Sequence, residues 1–180
     1  MKIFLPLFLV IFFYKTANAQ SSPDSTIKHS PLRTLSDTEY NALLKGEDLY
    51  HMALVAEINH YPYPDKVIKY KKELGLSPIQ VDKLNAIIKE LHRKILEMGL
   101  IVIRNEKALD SIFRTHTLNN GSLIFYANRY GLYQGEFRNT ILQACLTTRT
   151  LLSQQQINKF EALQKAAGGP HPTLSKGEGF

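Results

Sequence analysis

Cysteine is nearly absent from this chain: Cys145 stands alone among 180 residues, and there is no tryptophan. One thiol cannot close an internal disulfide, so packing alone must hold the fold together. Cys145 sits between Ala144 and Leu146 and is expected as a small buried hydrophobe. The alternative is an intermolecular disulfide, the other use of an odd cysteine in an oxidising compartment. Sustained period-two alternation is also missing, which argues against strands and for an all-α fold. Long apolar runs are missing too. The longest, Ile3 to Tyr14, has 12 residues, short of the ~20 a spanning helix needs. There is no glycine-rich phosphate loop, no H-E-x-x-H and no G-x-S-x-G, so catalysis is not expected. No basic run is dense enough to predict nucleic-acid binding.

What is present begins with a leader. Lys2 precedes the apolar run, and Ala17-Asn18-Ala19 gives a small-x-small site before Gln20. That is the layout of a secretory signal cut between Ala19 and Gln20. Removing residues 1–19 takes Lys2 and Lys15 and no acid. It leaves 20 bases against the 16 acids, and a net charge of +4 instead of +6. This mild surplus slightly favours acidic partners or an anionic membrane surface, and otherwise describes a solvated basic surface. No cysteine lies near the cut, so no lipid anchor and no stable membrane insertion are expected. Residues 20–34, rich in Ser, Pro and Thr, predict a flexible leader, and residues 168–180 a disordered tail. The domain is expected over 35–167.

Helix punctuation within the domain is dense. Ser36 with Glu39 forms a capping box, and Gly46 ends that short helix. Asp48 to Ile58 is expected as a second short helix, broken by Tyr61-Pro62-Tyr63-Pro64. Asp65 to Leu74 is expected as a third, ended by Gly75. Ser77-Pro78 opens a long helix, with Gln80 completing its box. Its apolar seam runs through Leu84, Ile88, Leu91, Ile95, Met98, Val102, Leu109 and Ile112, with Asn105 as the one polar member. Ile79 to Phe113 would span about 50 Å. Asn119-Asn120-Gly121-Ser122 predicts a turn. The seam then resumes at Leu123, Tyr126, Tyr130, Tyr133, Phe137, Ile141, Ala144, Thr148 and Leu151. The spacing therefore predicts a long antiparallel helical hairpin with short flanking helices. Gly131 and Gly135, one turn apart, either admit a close neighbour or mark a bend. Ser153 with Gln156 opens a last short helix bearing Ile157, Phe160 and Leu163.

Two of these helix starts echo each other. Leu76-Ser77-x-x-Gln80-Val81-Asp82-Lys83-Leu84 matches Leu152-Ser153-x-x-Gln156-Ile157-Asn158-Lys159-Phe160 at an offset of 76 residues. Shared amphipathicity and capping account for about half of the pattern. The leading leucine suits a hydrophobic staple and the glutamine closes the box. Two such boxes flanking a long helical hairpin behind a signal peptide resemble the Spy/CpxP family of periplasmic proteins. That family carries a paired L-T-x-x-Q motif, here with Ser77 and Ser153 in place of threonine. Ala56, Glu57, Asn59, Tyr61 and Pro62 resemble the group labelled periplasmic heavy-metal sensors. The resemblance implies a periplasmic, cradle-like homodimer. It also implies an ATP-independent chaperone or envelope-stress modulator that binds unfolded or regulatory proteins. The alternative it implies is a metal-responsive sensor controlling a membrane-bound regulator. A thin hairpin cannot bury all of Ile87, Ile101, Ile103, Phe113, Ile124 and Phe125. Some must be covered by the short helices or a second copy, or else form a binding patch.

Among six histidines, His51 and His60 cluster in sequence with Met52 and Glu57. For the sensor alternative, His51, Glu57 and His60 are the candidate metal ligands, and such ligands suit Ni, Cu or Zn. Their spacing matches no zinc signature. Nine residues apart on a straight helix, the two histidines fall on opposite sides. The plainer reading is of surface or capping histidines and no cofactor. The histidine-rich tail of some metal-binding relatives is reduced here to His171.

Overall fold

Ser36, Ser77, Asn119 and Ser153 each open a helix in the same way. Each side chain accepts the backbone N–H three residues on, and the side chain at that position returns a bond to the cap's own N–H. Two of the free donors at each helix start are thereby satisfied. The computed structural model describes residues 27–168; residues 1–26, with the expected signal peptide, and residues 169–180, with the expected tail, lie outside that range. Six α-helices and no strand occur among the described residues: α1 (Asp37–Lys45), α2 (Leu54–Glu57), α3 (Pro64–Lys69), α4 (Pro78–Arg114), α5 (Asn120–Leu151) and α6 (Gln154–Ala166).

The long pair α4 and α5 dominates. Gln80 reaches the Leu151 carbonyl and Asn105 reaches that of Tyr126. Going 25 residues up α4 therefore matches going 25 residues back along α5, so the pair is an antiparallel hairpin. Its 37-residue arm α4 is about 55 Å long at ~1.5 Å per residue. The seam is buried at Leu84, Leu91, Ile95 and Val102 on α4, and at Phe137, Ile141, Ala144 and Thr148 on α5. Asn105 is buried among them and donates its Nδ2 to the Tyr126 carbonyl.

Two apolar clusters fix the flanking helices. In the first, Ala53 from the chain before α2 packs with Leu91, Ile95, Phe137, Ile141, Ala144 and Cys145, backed by Met52, Ala56 and Tyr63. In the second, Val67 of α3 and Leu74 meet Leu84, Leu152, Ile157 and Phe160 at the open end of the hairpin. Helix α1 crosses α4 at Gly99, where an added Cβ would lie 2.2 Å from the Leu43 carbonyl oxygen. Only glycine admits a backbone that close. The described part of the leader lies along α1. There the Lys28 N–H and carbonyl both bond the buried Asn41 side chain, Ser30 N–H donates to Asp37, and Leu32 is buried.

Several local expectations are corrected. The helix foreseen over Asp48–Ile58 shrinks to Leu54–Glu57. Both Asp48 oxygens accept backbone N–H groups, from Met52 and Ala53, which holds residues 48–53 as a turn. The third helix ends at Lys69, not Leu74. Tight i→i−3 bonds at Tyr70 and Lys71 follow, and Gly75, at φ +60°, closes the turn. The hairpin turn lies at residues 115–119, because Asn119 caps α5 and draws Asn120-Gly121-Ser122 into its first turn. Nothing lies within 4 Å of a Cβ placed on Gly131 or Gly135, and α5 runs through both without a break. Leu123 and Tyr130, expected in the seam, are exposed.

Candidate functional site

The repeated motif is one structural unit. Within each box the serine Oγ accepts the glutamine N–H at 3.2 Å, and the glutamine Oε1 accepts the serine N–H at 3.0 Å. The two glutamine side chains also bond each other. Gln80 Nε2 donates to Gln156 Oε1 at 3.0 Å and Gln156 Nε2 donates to Gln80 Oε1 at 3.2 Å. Gln80 Nε2 also donates to the Leu151 carbonyl at 3.0 Å. Each amide thus serves its own helix and its counterpart. Leu152 is buried and Leu76 half-buried in the cluster beneath. The pair ties the start of α4 to the start of α6 across the open end of the hairpin.

His51, Glu57 and His60 are not brought together. Glu57 pairs with Lys66 of α3 at 2.5 Å, and His60 Nδ1 meets Glu161 of α6 at 2.6 Å. His51 and His60 both have left-handed backbone, at φ +52° and +66°. His60 closes α2 with bonds from its own N–H to the Glu57 carbonyl and from Tyr61 N–H to that of Ala56. This is the helix-end geometry in which glycine is usual. A non-glycine residue there costs about 1 kcal/mol or more. Among the described residues, no group of three or more His, Cys, Asp or Glu is placed to hold a metal ion. His171 lies outside them.

A feature not singled out from sequence is a groove of about 530 Å³ along one face of the hairpin, lined by α4 and α5 alone. Ile87, Leu91, Met98 and Ala144 contribute its apolar part. Glu90, Arg93, Lys94, Glu97 and Glu136 contribute charge of both signs. Arg93 bonds Glu90 through two nitrogens and reaches Glu97 one turn on. The Arg93 bond holds the Glu90 carboxyl at about 2, so the edge stays charged at neutral pH. No residue of α1, α2 or α3 lines the groove.

Beyond the reach of the flanking helices, the far end of the hairpin displays large apolar side chains. Phe113 is 50% exposed, Ile124 60% and Phe125 50%, while Leu132, 59% exposed, lies nearer the middle of the hairpin, level with Gly99. On α5, Arg129 lies over the Phe125 and Tyr133 rings, 4.8 and 5.3 Å from their centroids, and bonds the Tyr133 hydroxyl. Leu123, Ile124 and Phe125 are consecutive and all exposed, so just past its polar first turn α5 is apolar over more than half of its circumference, a wider stripe than one packed face needs. The run of three large apolar residues was a signal available in the sequence. The groove was not, because its walls come from residues about 50 positions apart.

On the other side of the hairpin, Cys145 is fully buried, and burial pushes its thiol up to about 12. Tyr63 beside it is also raised, chiefly by burial. No family model, curated protein or solved structure matches this chain.

Proposed function

We propose that this is an exported, Spy/CpxP-like, non-enzymatic protein of the periplasm. It would bind non-native or regulatory protein chains through the apolar end and groove of its hairpin. The observation carrying this reading is the exposed set Phe113, Leu123, Ile124, Phe125 and Leu132. Contiguous exposed apolar surface marks interaction sites on soluble proteins. The groove, nearer the open end of the hairpin, supplies a second apolar floor, with charged edges that keep it soluble. Residues 1–19 have the layout that would deliver the chain across the inner membrane. A cradle-like homodimer fits the same surface, since a second copy could cover part of the exposed apolar residues of α5 and leave the rest for a client. The paired boxes at Ser77 and Ser153 support the family resemblance.

The test is light scattering from an unrelated protein unfolding in the presence of the mature chain. Suppression near equimolar ratio, without ATP, is the expected result. Unchanged aggregation across a range of ratios would overturn the proposal.

A further inference from the structure

Residues 51–60 carry apolar side chains on two faces. Met52, Ala53 and Ala56 pack onto Leu91, Ile95, Ile141 and Cys145, while Leu54, Val55 and Ile58 face solvent. The helix inside this segment is a single turn with no side-chain cap. Left-handed histidines stand at both ends of the segment, His51 and His60. So short an element has little stability of its own and depends on what pins it. Besides the apolar packing of its inner face, three polar fastenings do so. Asp48 takes the Met52 and Ala53 N–H groups, Glu57 pairs with Lys66 of α3, and His60 pairs with Glu161 of α6. Only the last reaches a distant part of the chain, and the His60 side chain is itself largely in solvent.

We propose that residues 51–60 form a hinged cover, latched to α6 by His60 and Glu161. Lifting the cover bares a second apolar seat on the hairpin, centred on Ile95, Ile141 and Cys145. Each hinge is a residue that leaves the left-handed region on opening, which relieves the backbone there. Segments held by few fastenings open locally at free energies well below global unfolding. The seat backs onto the groove, sharing Leu91 and Ala144 with its lining, but no residue of the covering segment lines the groove, so the two open separately. The seat's occupant is a short apolar segment of a non-native protein chain that replaces the cover's own inner face, the small and apolar side chains of Met52, Ala53 and Ala56. In this respect the inference rests on the function proposed above, as a second point of attachment for a non-native chain. The hinge itself does not depend on that function.

The chain carries its own reporter, since Cys145 is its sole cysteine and is fully buried in the seat. Its reaction with Ellman's reagent is measured in the intact protein at increasing urea, beside global unfolding followed by circular dichroism. The expected result is labelling with a urea dependence less than about a third of that of global unfolding, the signature of a local opening. Glu161→Gln, which removes the charge of the latch on the exposed side of α6, is expected to raise the labelling rate several-fold with the global midpoint unchanged. Two results would overturn the proposal: labelling that tracks global unfolding, or a rate that Glu161→Gln leaves unaltered. Failure of aggregation suppression, by contrast, would leave the labelling result standing and count only against the binding function.

Discussion

Gln80 and Gln156, 76 residues apart, exchange side-chain amide bonds in both directions, at 3.0 and 3.2 Å. Each oxygen also caps its own helix, so neither side chain can turn over without losing both roles. A cap bond contributes about 1 kcal/mol and a neutral side-chain bond about another 1 kcal/mol. Gln80→Ala and Gln156→Ala should each cost about 1–2 kcal/mol in urea unfolding. Because they share partners, the double variant should cost less than the sum by at least ~0.5 kcal/mol. Strict additivity would mean that the two boxes act only as separate caps.

The glycines separate by what surrounds them. Gly99→Ala places a methyl against the Leu43 backbone and should cost about 1–3 kcal/mol, the range for overpacking. Gly131→Ala and Gly135→Ala meet open space and should each stabilise by up to ~1 kcal/mol through helix propensity. Thermal melts of the three variants decide this. A loss of stability in either of the latter two would show a contact that the isolated chain does not make.

Acid should release the leader before it unfolds the hairpin. The Ser30 N–H bond and the neighbouring His29 hold the Asp37 carboxyl below its ordinary value. A depressed carboxyl stabilises the fold above its unfolded pKa, and that contribution fades as pH falls through the folded one. The Ser30 amide should therefore lose protection from hydrogen exchange below about pH 4, while amides near Ile141 keep theirs. In Asp37→Asn the pH dependence at Ser30 should vanish. Simultaneous loss at both places in the parent chain would contradict the assignment.

Alkali acts on the opposite side. Burial raises the Cys145 thiol to about 12, above its unfolded value. Its contribution is complete below about pH 9 and is lost as pH rises toward 12. Stability should fall over that interval, and Cys145→Ala should flatten part of the slope, leaving the share that belongs to Tyr63. An unchanged slope would show that the thiol is not sequestered.

The elements legible in the sequence were those with local chemistry. Ser36, Ser77 and Ser153 announce their helices because the capping box needs only residues three apart, and the α4 seam follows from its spacing. What was not legible depended on distant partners. Asn119 and Gly121 spell a turn by composition, yet the Asn119 side chain caps α5 and passes the turn to His116, whose left-handed φ of +54° no composition rule anticipates. Asp48 looked like a helix start and instead consumes two backbone donors in a turn. Gly131 and Gly135 stand out in the sequence by their spacing, whereas the glycine that sets the packing is Gly99, legible only once α1 lies across it. The Ser77 and Ser153 boxes were evident as an echo. That their glutamines touch follows from the hairpin returning residue 151 to residue 80.

The binding account rests on the far end of the hairpin, and the decisive measurement is aggregation suppression by the Ile124→Asp, Phe125→Asp double variant. Both side chains are at least half exposed, so the thermal midpoint should move by less than about 0.5 kcal/mol equivalent. The account predicts that suppression then drops at least several-fold beside an unchanged fold. Full suppression by a folded double variant would contradict it.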